Sequence, residues 1–163
     1  MAVNRGKSFE DKVKEACEKV SDTYILRLYD VQGGYVGVAN PCDYIVFRHG
    51  IMYMFECKAL HGNLLSIHSR DPKRKYGNIS NTQWDEMLKA SKCGVMSGVV
   101  VWWFDHDVTK FIPIRELQIL RDIGKHNSIR YDLDIPNSIT IEGKKKRVFF
   151  EYNMECFFRC FEG

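Results

Sequence analysis

No stretch of this 163-residue chain approaches eighteen consecutive apolar residues, so no membrane-spanning helix is expected. Met1 to Lys7 is polar and lacks the apolar core of a secretory signal peptide. None of the cysteines Cys17, Cys42, Cys57, Cys93, Cys156 and Cys160 forms a Cys-x-x-Cys pair, and Cys156-x-x-x-Cys160 has no histidine close by. A zinc site is therefore not signalled, and we read the six as reduced thiols of a cytosolic protein. Gly33, Gly34 and Gly37 are not followed by a helix at phosphate-binding spacing, which argues against a nucleotide loop. No serine or cysteine has the glycine flanks and histidine partner of an activated nucleophile. Repeats and low-complexity linkers are absent too.

What is present is an ordinary globular balance, 45% hydrophobic and 28% charged, in a chain long enough to bury one core. We expect a single domain over 1–163, with a core at about 6–123 and an extension, 124–163, that serves as a dimer or DNA contact. The net charge of +3 permits a nucleic-acid partner. Basic residues cluster at Arg70 to Lys75 and at Lys144 to Arg147.

The most informative stretch runs from Asp43 to Lys58. Asp43-Tyr44-Ile45-Val46-Phe47, a turn at Arg48-His49-Gly50, and Ile51 to Lys58 spell a β-hairpin. Asp43, Glu56 and Lys58 are rare charges inside it. Residues two apart share a strand face, so Glu56 and Lys58 point the same way, and Asp43 reaches the same edge in the simplest register. Such a group is costly to bury unless it pairs or binds an ion, and carboxylates with retained waters suit Mg²⁺, with Mn²⁺ as an alternative. A solvated Glu–Lys pair is the plainer reading of Glu-x-Lys taken alone.

Around the hairpin the pattern predicts a helix over 8–20, capped by Ser8, with Phe9, Val13, Ala16, Cys17 and Val20 on one face. Glu10 lies in its first turn, where it complements the helix dipole or approaches the hairpin's charges. Tyr24 to Tyr29 reads as a strand and Leu64 to Ser69 as a short one. Arg70 to Gly77 is a polar loop, either a solvated charge run or a phosphate contact through Arg70, Lys73, Arg74 and Lys75. Tyr76 there either stacks on an unpaired base or packs on the domain. A helix over Asn81 to Lys92 begins with Gln83, a strand over Gly98 to Phe104 is buried on both faces, and Asp105-His106-Asp107 reads as a turn rather than a metal site. A strand over Thr109 to Ile114 and a helix over Arg115 to Ile123 follow. Ser128 to Arg130 is a candidate support for DNA. Ser138 to Ile141 and Arg147 to Tyr152 suggest a hairpin turning at Gly143 to Lys146, and the last phenylalanines either cap the core or form a dimer surface.

Pro41-Cys42-Asp43, followed at a distance by Glu56-Cys57-Lys58, resembles the PD-(D/E)xK nuclease motif. Gly6-Lys7-Ser8-Phe9-Glu10 resembles the opening of RecU-like Holliday junction resolvases, and Asn81-Thr82-Gln83 resembles the helix that follows their motif. Phe111-Ile112-Pro113-Ile114 with Leu117 adds a further likeness. The resemblance implies a restriction-endonuclease-like α/β core, a mixed β-sheet flanked by helices. It implies Asp43, Glu56 and the carbonyl of Cys57 as Mg²⁺ ligands, Lys58 as the residue acting on water, and Glu10 and Gln83 as further catalytic residues. Lys7 joins the basic loop as a DNA contact. That family carries a long stalk between the first strand and the catalytic Asp, where this chain has about a dozen residues.

The function so implied is a metal-dependent endonuclease resolving four-way DNA junctions in recombination. It would be a phage-type homodimer working with a recombinase in the cytoplasm of a bacterial or phage-infected cell, with no membrane partner. The alternatives are a restriction-like or end-processing nuclease and a non-catalytic DNA-binding accessory protein.

Overall fold

The computed structural model describes residues 4–29, 40–67 and 77–163. Arg70, Lys73, Arg74, Lys75 and Tyr76, and the glycines at 33, 34 and 37, lie outside the described residues.

Helix α1 spans Arg5–Glu18. It starts earlier than the Ser8 cap expected from sequence, because Asn4 supplies the cap: its side chain accepts the Lys7 N–H at 3.2 Å. Ser8 lies inside the helix and donates its N–H to the Asn4 carbonyl at 3.0 Å. Strands β1 (Thr23–Arg27), β2 (Tyr44–Arg48) and β3 (Ile51–Leu60) form an antiparallel meander. The turn between β2 and β3 is two residues, His49 and Gly50, at φ 46° and 78°. Two positive φ values match the twist of the flanking strands, so Arg48 stays in the ladder opposite Ile51 instead of joining the turn.

β4 (Leu64–Ser66) leads to α2 (Asn81–Lys92), β5 (Met96–Trp103), β6 (Val108–Pro113) and α3 (Ile114–Asp122). β5 runs parallel to β3, and β6 returns antiparallel to β5. β7 (Ser128–Arg130) pairs with β4 outside the main sheet, and Arg130 is tied to Asp132 at 2.7 Å. β8 (Ile139–Thr140) extends the main sheet beside β6. β9 (Gly143–Lys145) pairs with β10 (Phe150–Tyr152), and α4 (Met154–Arg159) follows. The C-terminal hairpin therefore differs from the expected one. Ile139–Thr140 belongs to the main sheet, and the basic stretch assigned to the turn supplies a strand. Gly143 permits this close pairing, since a Cβ there would sit 2.6 Å from the Glu151 carbonyl oxygen.

The main sheet has the order β1-β2-β3-β5-β6-β8, mixed in direction, with helices on both sides. This is the α/β arrangement of a mixed sheet flanked by helices. Strand alternation splits the interior in two. On one side Phe9, Val13 and Cys17 of α1 meet Tyr53, Phe55, Cys57 and Phe111 together with Phe157 and Phe158 of α4. On the other, Trp84 and Met87 of α2 and Leu117 of α3 meet Met54, Val99, Val101 and Ile112. The late phenylalanines cap the first core: the Phe158 ring lies 5.2 Å from Tyr53 and the Phe157 ring 5.3 Å from Phe111. Among the described residues, no helix is long and apolar enough to cross a membrane.

Candidate active site

Three strands converge on Asp43, which immediately precedes β2. Its N–H donates to the Phe55 carbonyl at 3.0 Å, and its own carbonyl accepts the Leu28 N–H at 2.9 Å. Its carboxylate Oδ2 accepts the Cys57 N–H at 2.7 Å. The side chain is thus held across the strand that carries Glu56 and Lys58.

Glu56 is only 2% exposed, and Lys58 donates to its Oε1 at 2.7 Å. The other oxygen, Oε2, is buried without a hydrogen-bond partner. Burial pushes the Glu56 carboxyl up to about 7; Lys58 opposes the rise, the negative charge of Asp43 adds to it, and Gln83 opposes it more weakly. Gln83 reaches this point from the N-terminus of α2. Its Oε1 accepts the Ser80 N–H at 3.1 Å while its own N–H donates to Ser80 Oγ at 3.2 Å, a capping box that fixes the side chain.

Glu10 approaches from α1. Burial pushes it, too, up to about 7, with Asp43 adding to the rise and Arg27 and then Lys58 opposing it. The two glutamates therefore answer to the same pair of charges, Asp43 and Lys58. Cys57 points the other way, into the α1-side core, where burial and then Asp43 and Glu56 raise its thiol well above the ordinary range. A thiol so held is a poor nucleophile. Lys7, the remaining described residue among the expected DNA contacts, sits exposed in the first turn of α1.

The sequence reading missed Arg27. At the end of β1 it donates to Glu10 Oε2 at 2.9 Å, Asp11 Oδ1 at 3.1 Å and Tyr44 Oη at 3.3 Å. Arg27 is the one charge in β1, but nothing local in the sequence says which residues it meets.

Among the described residues, no three His, Cys, Asp or Glu side chains are gathered as a metal cluster. The donor set nonetheless suits a hard divalent cation that keeps several of its waters. A buried carboxylate oxygen has no partner, and burial, with the negative charge of Asp43 adding to it, pushes both Glu56 and Glu10 up, a rise that Lys58 opposes in each and Arg27 opposes in Glu10.

No family model and no curated protein matches this chain. Among solved structures it is similar to Hjc, a Holliday junction resolvase of the archaeal hyperthermophile Archaeoglobus fulgidus, at 16% identity and a TM-score of 0.47, over 68% of this chain and 78% of that one. It is also similar to a bacterial homing endonuclease at 10% identity and a TM-score of 0.42, over 97% of this chain and 92% of that one. Both likenesses are distant.

Proposed function

We propose that this protein is a metal-dependent endonuclease that cuts four-way DNA junctions. The observation that carries the reading is the Asp43–Glu56–Lys58 group, in which Glu56 is buried, Lys58 lies 2.7 Å from it and one Glu56 oxygen is unpartnered. The element order agrees with a restriction-endonuclease-like core: a helix, a three-stranded meander, a helix, then a strand parallel to the third.

Asp43 and Glu56, with the carbonyl of Cys57, would hold Mg²⁺ or Mn²⁺. The ion, when bound, polarises the scissile phosphate and acidifies a water. Lys58 holds one Glu56 oxygen and directs its remaining N–H groups to water or phosphate. Gln83 favours the charged form of Glu56, and Lys58 that of Glu10. The cysteine thiols take no part. Lys7 and the basic residues between Arg70 and Lys75 supply phosphate contacts, a sequence-independent term that suits a structure-specific enzyme. A homodimer delivers two symmetric cuts, and a recombinase would supply the junction.

The deciding experiment uses a labelled four-way junction and a matched linear duplex, each with Mg²⁺ or EDTA. Junction cleavage that needs the metal and survives competition by linear duplex is expected. Equal cleavage of both substrates would point to a restriction-like or end-processing enzyme. Binding without nicking in any metal would leave a non-catalytic DNA-binding protein.

A further inference from the structure

We propose that the cleft between α1 and the β9–β10 hairpin is a docking site for an acidic peptide segment of a partner protein, one that carries an aromatic side chain beside its carboxylates. The cleft lies apart from the Asp43–Glu56–Lys58 group, and its occupancy does not depend on the nuclease reading.

The cleft holds about 380 Å³, within the span of roughly 300–1,000 Å³ usual for ligand sites. One wall is α1, through Lys12, Glu15, Ala16 and Lys19. At about 100° per residue these positions share one flank of the helix. Glu10 falls on the opposite flank, where it meets Arg27 of β1. A DNA strand held at the Asp43–Glu56 edge would have to round α1 to enter the cleft.

The other wall is the hairpin, whose turn is closed by the Lys146 N–H donating to the Phe149 carbonyl at 2.9 Å. Arg147 and Val148 are left at the tip. Two-residue hairpin turns favour Gly, Asn and Asp, so the turn itself does not call for this pair. Val148 is 42% exposed, and folding gains little from an apolar side chain left there. Phe149 stacks toward Trp102, with ring centroids 5.5 Å apart, so the turn has a fixed seat on the core.

The lining is hydrocarbon around Ala16, Val148 and Phe150, extended by the alkyl stems of the lysines. Its charged groups are four cations, Lys12, Lys19, Lys146 and Arg147, against two carboxylates, Glu15 and Glu151. Lys12 pairs with Glu15 at 2.9 Å, and Glu151 serves both Lys19 and Lys146, each at 3.2 Å. Arg147 is exposed and makes no ion pair among the described residues. Positive charge is therefore left over around an apolar lining. Duplex DNA offers phosphates but keeps its bases stacked. An acidic segment with an aromatic anchor meets both features, the ring against the lining and the carboxylates against the cations.

The probe is a fluorescein-labelled Asp-Glu-Asp-Leu-Phe peptide, followed by fluorescence anisotropy on the full chain. Its controls are the same peptide with Ser in place of Phe and the same peptide with its acidic residues changed to their amides. The wild type is expected to bind the first peptide, less tightly as salt is raised. Each control should bind roughly tenfold more weakly or worse, the scale of burying one aromatic side chain. Val148→Asp, which sets a carboxylate against the peptide, should lose at least as much. Lys12→Glu, on the other wall and 39% exposed, should lose a comparable amount, and it carries the test if Val148→Asp disturbs the hairpin. Val148→Asp should cut a junction at the wild-type rate.

Wild-type peptide affinity in both variants would overturn the inference, as would equal binding of either control peptide. Displacement of the peptide by an equal concentration of oligo(dT) or linear duplex would make the cleft a nucleic-acid contact instead, and so would a cleavage defect in Val148→Asp as deep as its loss of peptide. A wild-type chain that binds the peptide but cuts no junction would sink the nuclease reading and leave this site standing.

Discussion

Two acidic groups in this chain sit in opposite environments. In the turn after β5, Asp105 accepts the Gly62 N–H at 2.6 Å and pairs with His61 at 2.6 Å, while Asp107 pairs with Lys145. His106 bonds Asn63 at 2.5 Å and stacks on Tyr131 at 3.7 Å. Each acidic side chain there has its own partner near solvent. At the β2–β3 edge, by contrast, burial lifts both Glu56 and Glu10 in spite of their Lys58 and Arg27 partners, and Glu56 is sealed from water with an oxygen unpartnered. Acidic residues close in sequence are thus not what marks a reactive site. Buried negative charge that the protein itself leaves under-compensated is the better mark.

The sharpest way to break this contrast is to delete carboxylates on both sides of it. Asp43→Ala and Glu56→Ala should reduce junction cleavage below detection while junction binding persists, as a gel shift beside the cleavage gel would record. Each removes a proposed ligand and also a repulsion from phosphate. Near wild-type cutting by either variant would dissolve the distinction between the two acidic groups.

Lys58→Ala should cost roughly 10²-fold or more in single-turnover rate, the scale of a positioned acid–base or electrostatic group. An effect on affinity alone would make Lys58 a phosphate contact.

The contrast also predicts a pH dependence of stability. Glu56 and Glu10 titrate near 7 in the folded protein against an ordinary 4.5, so between those values the folded state holds protons the unfolded chain has released. Stability then falls as pH rises across this window, and the cost is fully present above it. Glu56→Gln removes part of that cost. Its melting temperature should exceed the wild type's at pH 8 and match it at pH 4, and Mg²⁺ should raise the wild type's melting temperature at pH 8 more than the variant's. A variant less stable than the wild type at pH 8 would mean that the Lys58 pairing outweighs the burial.

Local pattern made much of this architecture legible. The apolar stripe of α1, the bounds of α2 and the alternation in β3 that puts Glu56 and Lys58 on one face all follow from periods of 3.6 and 2. What local pattern could not reveal was distant pairing. Gly143–Lys145 looks like a turn until Phe150–Tyr152 is found beside it, and Ile139–Thr140 is a strand because β6 has an open edge. Arg27 looks like a chance charge until α1 brings Glu10 and Asp11 over it, since nothing in the spacing of residues 10, 11 and 27 encodes that meeting. Asn4 caps α1 ahead of Ser8 because either residue type can cap, and their order along the chain does not choose between them.

The smallest effect belongs to the other side of the contrast. Asp105→Asn keeps an oxygen able to accept the Gly62 N–H and loses only the charge facing His61. Asp107→Asn loses the ion pair to Lys145, whose two side chains are 37% and 50% exposed. Pairs of this kind are screened by water and salt and contribute about 0–1 kcal/mol. Both variants should therefore melt close to the wild type, with any difference shrinking as salt is raised, and should cut a junction at the wild-type rate. A cleavage defect in Asp105→Asn or Asp107→Asn as deep as that of Asp43→Ala would bring the turn into the active site. Buried, under-compensated charge would then no longer separate the two groups.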